Sequence, residues 1–214
     1  RMPKPTIQCF FGACLAGLMV TVSASDAPTN APSNALDQLE AFSGTTQALQ
    51  ATFEQVTRDR DGYVIDRATG VFYFNAPNQF RWAYAEPFEE VIVGDGSLLW
   101  HYDPNLEQVT VREQPKAADS PVLVLTNFKL MQESYDIALG EDDNRVELTP
   151  QTATADIAMA WVVFTDGQPR VVGWEDRFSQ TTRIEFQGLE TNTDLDGGLF
   201  EFSPPPGVDV LEGL

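Results

Sequence analysis

Imidazole and thiol are nearly missing from this chain: its 214 residues include one histidine and two cysteines. The histidine, His101, is flanked by Trp100 and Tyr102 in an alternating segment, so no Ser-His-Asp arrangement, paired-histidine metal site or zinc signature can be assembled. No Gly-Lys pair occurs, and no Gly-x-Gly-x-x-Gly opens a helix, which removes the usual phosphate cradles. Basic residues are scarce, 13 Lys and Arg against 32 Asp and Glu. A surface of that sign repels a phosphate backbone, and nucleic acid is excluded as a partner. No apolar run reaches the roughly 18 residues that a membrane-spanning helix requires. Carboxylates are plentiful, but none sits in a distinctive local setting, so a solvated acidic surface is their reading and no acid–base pair is assigned. The sequence points to a protein that is not an enzyme, with no catalytic residue, no metal and no cofactor.

The first 24 residues read as a cleavable signal peptide. Arg1 and Lys4 precede an apolar run from Ile7 to Val22, which ends in Val22-Ser23-Ala24 with small residues at the cleavage positions. Both cysteines, Cys9 and Cys14, fall inside it. Phe11-Gly12-Ala13-Cys14 is a poor lipobox, because Phe stands first and the apolar run before it is very short. The expectation is a soluble protein released into the periplasm. Removing Arg1 and Lys4 leaves 11 basic against 32 acidic side chains, a formal net charge of −21. Residues 25–34 hold Ala, Pro, Asn, Ser and Thr but no large apolar side chain, and read as a flexible tail. A single domain is expected over 35–214.

Ala35, Leu36, Leu39 and Phe42 recur at helical spacing, with Asn34 as cap and Gly44 as a stop, predicting one helix over 35–43. The period then changes to two. Strands are predicted around 71–74, 80–85, 91–93, 98–102 and 106–112, and again around 135–139, 145–148, 157–164, 171–174 and 184–189. Gly-Asp, Asp-Pro-Asn and Asp-Gly turns separate them. Between the two series, Asp119-Ser120-Pro121 ahead of Val122 to Leu125 marks the start of a short apolar helix. Several strands are apolar on both faces: Trp161 and Val163 oppose Val162 and Phe164, and Trp100 and Tyr102 oppose Leu99. Both faces must then be hidden, as a sandwich core or as the lining of an incomplete barrel closed by helices. Phe72, Phe74, Phe80, Trp82, Tyr84 and Trp100 together exceed what a domain of this size needs for its middle, which makes an apolar cavity the reading for this group.

Four stretches in order carry a family likeness: Pro77-Asn78-Gln79-Phe80-Arg81-Trp82; Asp95-Gly96 ahead of Trp100-His101-Tyr102-Asp103-Pro104; Leu106-Glu107-Gln108-Val109-Thr110-Val111; and Ser120-Pro121-Val122-Leu123. In combination they resemble the LolA family of periplasmic outer-membrane lipoprotein carriers. The layout of the rest agrees, including Phe200-Glu201-Phe202, read as a strand before Pro204-Pro205-Pro206. The resemblance implies a mainly β (α+β) fold, an incomplete antiparallel β-barrel covered by short lid helices, whose interior receives lipoprotein acyl chains. It implies lipoprotein cargo, an inner-membrane ABC-type releasing complex as donor and an outer-membrane acceptor as recipient, with the carrier a monomer. It places Phe80 and Trp82 in the cavity and Pro121, Val122, Leu123, Val124 and Leu125 on a lid. Many family members have an arginine just before the Pro-Asn pair that ties the lid shut, where this chain has Ala76, leaving Arg81 as the nearest candidate latch. A periplasmic sensor or lipid-binding protein of the same fold that is not a shuttle is the alternative.

Overall fold

A helix this short depends on its cap and on what it lies against. In the computed structural model, which describes residues 34–114, 122, 127–152 and 156–213, the side-chain oxygen of Asn34 accepts hydrogen bonds from the N–H groups of Leu36 at 2.9 Å and Asp37 at 3.1 Å. Two of the helix's orphan donors are thereby satisfied. Helix α1 runs Ala35–Thr45 and buries Ala35, Leu39, Phe42 and Ser43 on one side. The expected stop at Gly44 does not operate. A glycine ends a helix by adopting a left-handed φ, Gly44 is not among the residues of positive φ, and the helix passes through it to end at Thr46, whose N–H returns to the Phe42 carbonyl.

Two antiparallel meanders follow. The first is β1 (Ala48–Arg58), β2 (Val64–Asn75), β3 (Gln79–Glu86), β4 (Glu90–Gly94), β5 (Leu98–Asp103) and β6 (Gln108–Glu113). Helix α2 (Phe128–Ser134) leads into the second: β7 (Tyr135–Leu139), β8 (Arg145–Pro150), β9 (Ile157–Thr165), β10 (Gln168–Asp176) and β11 (Thr181–Thr191). Pairing of β1 with β11 fuses them into one sheet, and a last strand, β12 (Asp209–Glu212), adds in parallel beside β6. The order is β12-β6-β5-β4-β3-β2-β1-β11-β10-β9-β8-β7. β12 and β7 are separate edges, so the barrel is incomplete, as expected from the sequence. Aspartates fix several turns. One Asp59 oxygen accepts from the N–H of Asp61 and of Tyr63, and one Asp103 oxygen from Asn105 and Leu106. The latter holds Leu106 and Glu107 in the turn, so β6 begins at Gln108 and not at 106.

One face of the sheet, the inner face, carries the core. Helix α1 packs across β7 to β10 and against α2, its Phe42 ring meeting Phe164 edge-on at 6.4 Å. The outer face is hidden differently. Trp100 and Tyr102 are covered by the ring of Phe202, at 5.7 and 5.9 Å. Trp161 lies across β10 where a side chain on Gly173 would meet its ring at 2.3 Å, and the guanidinium of Arg145 sits 5.0 Å from the Trp161 ring centroid. The predicted strand at Phe200-Glu201-Phe202 is corrected. Gly197–Phe200 is a turn of 3-10 helix capped by Asp196, which buries Phe200, and residues 201–208 after it belong to no strand. Prolines 204–206 have no N–H to give a sheet ladder.

Because Gly44 is helical and a Cβ added there would have nothing within 4 Å, Gly44→Ala should raise the unfolding free energy by about 0.5–1 kcal/mol. Urea denaturation checks the value, and a lowered midpoint would contradict the helical assignment of this residue.

Candidate functional site

Strand register decides which of the aromatic residues share a face. Phe74 pairs with Phe80, Phe80 with Gly94 and Gly94 with Leu99; in the next row Phe72 pairs with Trp82, Trp82 with Ile92 and Ile92 with His101. Phe72, Phe74, Phe80, Trp82 and Tyr84 therefore all line the inner face. Phe72 lies 4.2 Å from Trp82, and Phe53 approaches Trp82 at 4.8 Å and Tyr84 at 5.2 Å, both edge-on. Phe186 closes the group from β11, 5.9 Å from Phe72. Gly94 is required by this packing, since a Cβ there would fall 2.3 Å from the Phe80 ring. Trp100 is corrected. Its partners Val93 and Val111 belong to the opposite face, where its indole N–H donates to Asp95 at 3.0 Å. Burial alone would raise the Asp95 pKa, but N–H donors from Leu98, Trp100 and Ser97 outweigh it and hold the carboxyl below its ordinary range.

Arg81 is likewise on the outer face, where its guanidinium donates to the Leu199 carbonyl at 3.3 Å. It fastens the 3-10 turn to β3 and is turned away from the inner face that a lid would cover, so the structure gives it no latch role. Ala76 is partly buried against the core, its N–H donating to Gln47. Of the expected lid, Pro121, Leu123, Val124 and Leu125 lie outside the described residues. Val122 is buried, 6% exposed, and belongs to the same apolar cluster as Phe72, Phe80 and Leu99. Sequence reasoning missed Leu49, Ala51 and Phe53 of β1. Their period-two alternation is real, but the partners are polar or small and only Phe53 is large.

Among the described residues, two openings border the inner face. One, about 200 Å³, is bordered by Gln55, Ala68, Tyr84, Phe88, Glu90 and Ile92. The other, about 270 Å³, is lined by Ile92, Leu99, His101, Thr110 and Arg112. Tyr84 stands at the wall of the first with its hydroxyl donating to Gln55 at 3.3 Å. Burial, followed by the charges of Glu90 and Asp66, pushes its pKa up to about 12. The wall thus stays a neutral phenol. Among the described residues no three His, Cys, Asp or Glu side chains gather where a metal could sit, and no helix is long and apolar enough to cross a membrane. The arrangement offers apolar contact with a few polar edges, the chemistry of holding hydrocarbon.

Known proteins sharpen this. Residues 44–203 match the family described as outer membrane lipoprotein carrier protein LolA. The outer-membrane lipoprotein carrier protein of Nitrosospira multiformis is 36% identical over 181 residues, covering 82% of this chain and 87% of that protein. Its counterpart in Alkalilimnicola ehrlichii is 35% identical over 211 residues, covering 98% and 95%. A crystal structure of an uncharacterized conserved protein from Thermus thermophilus superposes with a TM-score of 0.50 at 13% identity, over 83% of this chain and 96% of that one, and shares the fold.

The raised Tyr84 pKa gives a signed expectation. A phenol whose folded pKa is about 12 against an ordinary 10.0 contributes stability that is whole below pH 10 and is lost as pH rises towards 12. The unfolding midpoint should fall across that window, and fall less in Tyr84→Phe. Parallel profiles for the two proteins in denaturant titrations at each pH would contradict the burial of this hydroxyl.

Proposed function

The chain belongs to the LolA family of outer membrane lipoprotein carrier proteins, and from that premise we propose that lipoprotein acyl chains lie on the inner face, against Phe72, Phe74, Phe80, Trp82 and Tyr84. Carrying lipoproteins is the family's function, and the observation that attaches it to this face is the contiguous aromatic lining of β2 and β3. Each methylene removed from a bilayer must recover about 0.8 kcal/mol elsewhere, so several acyl chains require an extended apolar surface kept from water. A carrier with no nucleotide cradle needs that energy supplied from outside. We infer an ATP-driven releasing complex in the inner membrane as donor and an outer-membrane lipoprotein acceptor as recipient, with the carrier, a monomer, moving between them through the periplasm. Val122 and its neighbours Pro121, Leu123, Val124 and Leu125 serve as the lid in this reading. With Ala76 in place of the arginine and Arg81 engaged elsewhere, the lid is held by apolar contact. Nothing in the reading calls for bond-making chemistry. The relatives that cover most of this chain are named as carriers, and the sensor alternative is not favoured.

The direct test is displacement of a fluorescent acyl probe by a triacylated lipoprotein. Phe80→Glu should abolish loading, because a carboxyl among aromatic rings costs several kcal/mol whether charged or protonated without a partner. Phe80→Leu, which keeps the surface apolar, should load within a few-fold of the natural protein. Circular dichroism checks that both fold, and normal loading by a folded Glu variant would remove Phe80 from the site. The acidity, 32 Asp and Glu in all, should steer the carrier to basic faces on its partners. Association with the acceptor should therefore slow as salt rises, and a flat rate from low to high ionic strength would contradict steering.

A further inference from the structure

In a protein this rich in carboxylates, a cation without a partner needs a reason. Eight of the nine described arginines are engaged. Arg58 donates to Gly62, Arg81 to Leu199, and Arg60, Arg67, Arg145, Arg170 and Arg183 meet carboxylates. Arg177 also has an interaction of its own, and Lys129 faces Glu133. Arg112 alone, among the described cations, has no side-chain hydrogen bond or ion pair. It is not stranded at a hairpin tip. Its register partner is Leu99, which continues the row Phe74, Phe80 and Gly94. Its side chain lines the inner-face opening of about 270 Å³ together with Ile92, Leu99, His101 and Thr110.

The inner face is therefore graded from β2 to β6. It is aromatic at Phe72, Phe80 and Trp82, aliphatic at Ile92 and Leu99, and polar at His101, Thr110 and Arg112. Glu90, the acid on this face in β4, is occupied by a 3.0 Å contact with His101 Nε2. Such a gradient matches a ligand that is itself graded, hydrocarbon at one end and acceptor oxygens where the chains are joined. We propose that Arg112, with the Thr110 hydroxyl beside it, binds the carbonyl oxygens at the root of the cargo's acyl chains, so that the cavity recognises an acyl ester or amide and not merely a hydrocarbon. The guanidinium is suited to this, because its fork of N–H donors can engage two neighbouring oxygens without being deprotonated. The inference rests on the carrier reading above and adds a polar anchor to it.

The experiment compares the natural protein with Arg112→Leu, which keeps apolar bulk at the stem but removes the charge and every donor, and with Arg112→Lys, which keeps the charge without the fork. Three ligands are used: a synthetic triacylated lipopeptide, its ether-linked analogue lacking the chain-root carbonyls, and N-phenyl-1-naphthylamine, an apolar probe with no acceptor oxygen. Arg112→Leu should bind the acylated lipopeptide roughly tenfold more weakly, the loss expected for one hydrogen-bonding cation. Arg112→Lys should fall between. The naphthylamine should bind all three proteins alike, and the ether analogue should be weak and insensitive to position 112. Equal affinity of Arg112→Leu and the natural protein for the acylated lipopeptide would overturn the proposal. So would a parallel loss of naphthylamine binding, which assigns Arg112 to the fold, or an equal loss with the ether analogue, which moves the contact away from the carbonyls. If the natural protein binds none of the three ligands, the carrier reading itself falls.

Discussion

The aromatic contact between Phe72 and Trp82, with Phe53 edge-on to the same indole and Phe186 beyond it, is the constraint on which the rest of the structure depends. Those four rings come from β2, β3, β1 and β11, and β1 with β11 is where the two meanders join. The cluster thus holds the two halves of one sheet in register while presenting its rings to the inner face. On the proposed reading, stability and binding surface are the same atoms. A core built only for stability would be closed by small aliphatic packing. This one leaves Trp82 and Tyr84 half-buried, and Tyr84 keeps its hydroxyl on Gln55.

A sheet apolar on both faces has to dispose of the second one. The chain does so with its own C-terminal segment: Phe202 against Trp100 and Tyr102, Phe200 buried at 1% exposure, and Arg81 pinning the 3-10 turn through Leu199. On the other meander Arg145 covers Trp161, and Trp161 covers Gly173. Among the described residues, this division leaves α1, α2 and Val122 on the inner face. Two surfaces of similar composition therefore have different fates, one sealed by the chain itself and the other the face proposed to take the cargo.

Much of this was legible in the sequence. Period-two alternation located ten of the strands and Phe72, Phe74, Phe80, Trp82 and Tyr84 because each rests on large apolar side chains, and the barrel with its helices followed from the family likeness. Trp100 was grouped with them because composition does not say which face of a strand is inner; only the pairing of Leu99 with Gly94 and of Trp100 with Val93 does. β1 was invisible because Gln50, Thr52, Glu54 and Gln55 surround its few apolar positions. Helix α2, seven residues long, is too short for a period to show. Gly44 misled because glycine both ends helices and survives inside them. Arg112 could not be singled out from sequence at all, since being unpaired is a property of the neighbours.

What joins fold to function is the claim that acyl chains occupy the inner face and no other. Photo-crosslinking reads this directly, with p-benzoylphenylalanine placed at position 82 on the inner face or at position 52, an exposed outer-face site on β1. Position 82 should capture acylated lipoprotein and lose it when the cargo lacks its acyl chains, while position 52 should capture neither. Capture from position 52 equal to that from position 82, or capture at 82 that is indifferent to acylation, would contradict the account.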